Sequence, residues 1–168
     1  MTRVRLESPP GVPQTVATAE FDAPRLLVFR AFLEPDLLSQ WLGPRRMTMT
    51  IDEFDPRDGG RYRYAHHDAQ GNHYTFHGVF HGDPTLDSVV QTFEYEGAPG
   101  HVSLDTMILE ERGGRTSVRI TSIYQSVEDR DAMLAAGMET GIREGMERLE
   151  KLLERLERQS DHGASRAA

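Results

Sequence analysis

A chain of 168 residues with 38% hydrophobic content carries enough apolar material for one domain with a sizeable core, and no shift in composition divides it. A formal net charge of -8 sets up a field that repels phosphate backbones and anionic headgroups, which argues against nucleic acid and acidic membranes as partners. The absence of cysteine removes disulfides, thiolate nucleophiles and thiolate metal sites. With neither a signal-type apolar segment nor the ~20 apolar residues of a membrane span, a cytoplasmic protein without membrane insertion is expected.

Residues 1–13, ending in Ser8-Pro9-Pro10-Gly11-Val12-Pro13, read as a flexible lead, 14–158 as a single domain, and 159–168 as a flexible polar tail. Alternation of Val16, Thr18 and Glu20 against Thr15, Ala17, Ala19 and Phe21 predicts a first strand. Asp22 is then the expected N-cap of a helix over Pro24 to Phe32, with Leu27, Val28, Ala31 and Phe32 on one face. A second short helix from Pro35 turns Leu37, Leu38 and Trp41 inward and stops at Gly43-Pro44.

Six β-rich runs follow: Met47 to Phe54, Arg61 to His67, Tyr74 to Gly82, Ser88 to Glu96, His101 to Glu111 and Arg115 to Gln125. The glycine-containing separators between most of them are hairpin-type turns, so the seven strands predict an antiparallel sheet in meander order. From Val127 to Arg158 there is no proline, and Met138, Ile142, Met146, Leu149, Leu152, Leu153 and Leu156 recur at three and four residues. One amphipathic helix of roughly 48 Å is expected. The i,i+4 pairs Glu144/Arg148, Glu147/Lys151 and Glu154/Arg158 lie off that stripe and read as a solvated face.

Pairing His67 with His73 across the hairpin sets Tyr64 opposite Phe76 and Tyr62 opposite Gly78, with Phe80 continuing an aromatic face that should be covered. The other face collects Arg61, Arg63, His67, His73, Thr75, His77 and His81, a set expensive to bury. Only the C-terminal helix has the apolar surface to cover the aromatic face. Gly137, Gly141 and Gly145 precede Met138, Ile142 and Met146 in that helix. Either they let its backbone pack closely on the sheet, or they leave room for a ligand lined by adaptable methionines.

His73, His77 and His81 suggest a metal by their spacing, but residues four apart on a strand lie ~13 Å from each other and cannot share one ion. No metal site is assigned; His67 with His73 is the one cross-strand pair within reach. No phosphate loop, dinucleotide fingerprint or serine elbow is present, and no cofactor is expected.

The stretch Phe21-Asp22-Ala23-Pro24 through Val28-Phe29-Arg30-Ala31-Phe32, with Pro35 and Trp41-Leu42-Gly43-Pro44, is similar to the opening of the bacterial homologues of the C-terminal domain of the heat-shock protein 90 ATPase activator. The likeness continues through Gly59-Gly60-Arg61-Tyr62, the Asp68 to Gly71 turn, Phe76-His77-Gly78 and Gly137-Met138, and spans roughly Val16 to Leu156. That family belongs to the START-like, SRPBCC superfamily. The resemblance implies an α+β helix-grip fold: a curved antiparallel sheet of about six or seven strands, two short helices after the first strand, and a long C-terminal helix over the concave face.

It also implies a pocket between sheet and helix for lipids, polyketides or other small apolar ligands. The candidate lining is Trp41, Tyr62, Tyr64, Phe76, Phe93, Tyr95, Met107, Tyr124, Met138, Gly141, Ile142 and Met146, with Trp41 either a wedge under the short helices or a wall of the mouth. Leu42 stands where many relatives carry a second aromatic residue and is assigned no ligand contact. Two other readings stay open: a chaperone-associated interaction module, and a cyclase or hydrolase in which His66 and Tyr74 are the acid/base candidates. Sheet edges in need of protection make a homodimer plausible.

Overall fold

The computed structural model describes residues 2–166. Eight strands form one antiparallel sheet: β1 Arg5–Glu7, β2 Gln14–Phe21, β3 Thr48–Phe54, β4 Arg61–His67, β5 His73–Val79, β6 Ser88–Tyr95, β7 Val102–Arg112 and β8 Arg115–Ile123. They lie in the order β1-β2-β8-β7-β6-β5-β4-β3. Helices α1 Arg25–Leu33 and α2 Pro35–Leu38 follow β2, and α3 Val127–Ala135 and α4 Met138–Ser165 close the chain. The helix-grip architecture is as expected, with one strand more.

The expected hairpin register holds residue for residue. Tyr62 faces Gly78, Tyr64 faces Phe76 and His67 faces His73 across β4 and β5. Tyr62, Tyr64 and Phe80 are buried with Phe21, Val28, Leu109 and Val118, and α4 contributes Met146, Leu149, Leu152 and Leu153 to the same core. Leu149 is fully buried. The apolar stripe of α4 therefore covers the aromatic face, as its spacing requires.

Five expectations are corrected. The lead contains β1, whose Leu6 pairs with Ala17 of β2, and the buried guanidinium of Arg130 donates to the carbonyl oxygens of Pro9 and Val12, so this proline-rich segment is tied down. Asp22 does not cap α1: Pro24 occupies the N-cap position without a side-chain bond, and the Arg25 amide donates to the Glu111 carboxylate of β7 at 2.8 Å. The C-terminal helix is broken at Gly137, which takes φ +93°, a left-handed backbone that ends α3 and starts α4. Residues expected in the tail continue α4 to Ser165.

The fifth concerns the charged side of α4, which is more than a solvated face. Glu144 accepts from the Arg45 amide at 2.7 Å, Glu147 pairs with Arg45, and Arg155 donates to the Gln40 side chain at 3.1 Å. Arg148 donates to the carbonyl oxygens of Gln40 at 3.1 Å and Gly43 at 3.2 Å. These bonds fasten the segment after α2 onto α4.

Candidate functional site

Between the concave face of the sheet and the helices lies a cavity of about 260 Å³. Its wall is built by Phe32 and Leu33 of α1, Leu38 of α2, Leu42, Phe54, Tyr62 and Tyr64 of β3 and β4, and Val89, Gln91 and Phe93 of β6. Ser103, Asp105 and Met107 of β7, Ile120 and Ser122 of β8, Tyr124, Met133, Met138 and Ile142 complete it. α3 and the start of α4 contribute Met133, Met138 and Ile142 to the wall, whereas Leu149, Leu152 and Leu153 further along α4 are packed in the core.

Of the expected lining, Tyr62, Tyr64, Phe93, Met107, Tyr124, Met138 and Ile142 come together around this space. Trp41, Phe76, Tyr95, Gly141 and Met146 do not line it. Trp41 is 1% exposed and sits edge-on to Phe32 at 4.7 Å, which makes it a wedge behind the wall. Met146 is packed in the core, and Phe76 stacks on Phe93, itself a lining residue. A Cβ on Gly145 would stand 3.5 Å from the Trp41 carbonyl oxygen and 3.4 Å from the Gly43 nitrogen, whereas one on Gly141 would meet only Pro44 at 4.0 Å. Close packing therefore accounts for Gly145 alone, and it is packing on the turn after α2, not on the sheet.

Sequence reasoning missed Leu42, to which no contact had been assigned, and missed the polar floor altogether. In the register, Gln91 of β6 faces Asp105 of β7, Asp105 faces Ser122 of β8, and Ser122 faces Thr15 of β2, so four polar residues run across the concave face in one row. Ser103 donates to the Asp105 carboxylate at 3.1 Å, and Ser122 bonds the same group. Thr15 and the Tyr124 hydroxyl share a hydrogen bond of 3.1 Å, and Tyr124 contacts Met138 Sδ at 3.3 Å. Burial pushes the Asp105 carboxyl up to about 6, with the two serine hydroxyls opposing the shift. The phenols of Tyr62, Tyr64 and Tyr124 are raised by burial as well, which keeps them protonated.

His66 and Tyr74 are register partners on β4 and β5, but neither lines the cavity. His66 lies under the turn, so close that a Cβ on Gly43 would fall 2.5 Å from its Cε1, and its Nδ1 has no hydrogen-bond partner among the described residues. Burial first, then the Arg148 charge, lower its pKa to about 4. Tyr74 packs on Tyr95. On the convex face Arg63 makes a two-pronged ion pair with Glu96 and also meets Asp52, while His77 stands 3.6 Å from both Glu94 and Glu96. His67 bonds Thr50 at 2.8 Å and lies 6.2 Å, ring to ring, from His73. Among the described residues no three His, Asp or Glu side chains are placed to hold a metal ion, and no helix is long and apolar enough to cross a membrane.

An eight-stranded sheet gripping a C-terminal helix, with a cavity between them, defines a helix-grip domain. Residues 22–154 match the family model described as activator of Hsp90 ATPase homolog 1-like protein, and the chain belongs to that family. Its fold is similar to that of protein Ms6760 from Mycobacterium smegmatis, with TM-score 0.82 and 22% identity over 90% of this chain and 97% of that one. It is equally similar to a Rhodobacter sphaeroides protein, at 0.82 and 24% over 90% and 99%. An Arthrobacter aurescens protein gives 0.83 and 25% over 90% and 91%. A comparison with curated protein sequences gives no match.

Proposed function

We propose that this domain binds a small, mainly apolar molecule in the cavity between sheet and helices. The observation that carries the reading is the wall itself: a lining made mostly of aromatic, aliphatic and thioether side chains around about 260 Å³, with Gln91, Ser103, Asp105 and Ser122 as the polar groups among them. Affinity would come from apolar burial at roughly 25 cal/mol per Å², and the polar row would fix orientation. Met133 and Met138 line the cavity, and their flexible thioether side chains can adapt to the shape of a guest.

Native mass spectrometry of the purified protein, followed by solvent extraction, reads out any molecule carried. Uptake of the neutral dye Nile red tests the site directly. Ile142→Trp, which fills the space from α4, should abolish uptake and leave the circular dichroism spectrum unchanged. Equal uptake by a folded Ile142→Trp protein places the guest elsewhere and ends the reading.

A further inference from the structure

The charge pattern of the cavity wall narrows the class of guest. Asp105 is the one charged side chain in the described lining, which contains no lysine, arginine or histidine. Its bonds are to the neutral hydroxyls of Ser103 and Ser122, so among the described residues its negative charge has no ionic counterpart. An anion in a low-dielectric wall without a countercharge is costly, and a guest that brings a positive charge recovers that cost. The surrounding walls suit the same guest. Phe54, Tyr62, Tyr64, Phe93 and Tyr124 ring the space, and aromatic rings attract cations through their negative faces.

Resting on the cavity as the ligand site, we propose that the guest is a compact organic cation: an apolar amine whose ammonium group seats on the Asp105 carboxylate while its hydrocarbon body fills the aromatic wall. The titratable groups facing Asp105 are the phenols of Tyr62 and Tyr64 from β4 and of Tyr124 beyond β8. All three are held protonated by burial, so Asp105 alone sets the charge of the floor, ionised above about 6 and neutral below.

Isothermal titration calorimetry of the intact protein near pH 8 with phenethylamine, phenethyl alcohol and hydrocinnamate tests this, because the three share an aromatic body and differ in head-group charge. The amine should bind about tenfold or more tighter than the alcohol, and the carboxylate weaker than both. Lowering the pH through about 6 should erase the amine's advantage and leave alcohol binding in place. D105N, similar in shape and uncharged, should bind amine and alcohol alike. If D105N does not fold, the wild-type pH series decides. An alcohol as tight as the amine near pH 8, a preferred carboxylate, or an amine advantage that survives in D105N or at low pH overturns the inference. Nile red uptake with no amine preference overturns the inference alone, and failure of Nile red and all three probes overturns the cavity reading with it.

Discussion

The indole Nε1 of Trp41 donates to the carbonyl oxygen of Ala31 at 2.9 Å, inside the core. In an uninterrupted helix that carbonyl would accept from residue 35, but residue 35 is proline and has no N–H. The tryptophan thus supplies the donor that the chain denies to the end of α1. The pairing joins α1 to the turn after α2 and fixes Phe32, a cavity residue, against the Trp41 ring.

Replacing Trp41 by phenylalanine keeps an aromatic wedge but leaves the Ala31 carbonyl buried without a donor. Trp41→Phe should lose about 1–3 kcal/mol of stability in urea denaturation. Because Trp41 does not line the cavity, Nile red affinity of the folded variant should stay within about twofold of the wild type. Unchanged stability would show that the bond contributes nothing.

Arg148 holds the same turn from the other side through the Gln40 and Gly43 carbonyl oxygens. Arg148→Met retains much of the stem and removes the donors, and should cost about 1–3 kcal/mol. Its charge also holds the His66 pKa down, so that pKa should rise from about 4 in the variant. Proton NMR titration of the His66 ring checks the second outcome, and an unmoved pKa would leave burial and the neighbouring His67 as the causes.

The fold was legible because its signals are local and periodic. The β4–β5 register follows from one turn and the two-residue period, and the α4 stripe from the three-and-four spacing. The polar floor was missed although its period was available: Met107 had been assigned to the pocket, and Ser103 and Asp105 share its face of β7 by alternation. Polarity misled here, since β7 points Asp105 inward while Leu104 and Ile108 stay 44% and 41% exposed on the convex side. The Glu111 bond to the α1 amide and the Arg148 clamp were not legible, because residues 86 and 105 positions apart meet only in the folded chain.

Gly137, Gly141 and Gly145 separate by their surroundings. Gly141→Ala meets nothing closer than 4.0 Å and should raise stability by up to about 1 kcal/mol, with Nile red uptake unchanged. Gly137→Ala also meets nothing within 4 Å, but its left-handed φ should cost about 1–2 kcal/mol. Thermal unfolding of the two variants should move in opposite directions. A stabilised Gly137→Ala would mean that α3 and α4 can merge into the single helix that the sequence pattern suggests.

His66, buried, and Asp105, half-buried on the cavity wall, make opposite contributions to the pH dependence of stability. His66 has a folded pKa of about 4 against an ordinary 6.5, so between those values the unfolded chain binds more protons and stability falls as pH falls. Asp105 has a folded pKa of about 6 against an ordinary 3.8, so the folded chain binds more protons in that window and stability rises as pH falls. Between about pH 4 and 6 the two slopes oppose each other. D105N should therefore lose stability more steeply on acidification than the wild type, and His66→Phe less steeply. Urea midpoints measured at intervals across this range separate the contributions, and equal slopes in all three proteins would mean that neither group titrates differently in the folded and unfolded chains.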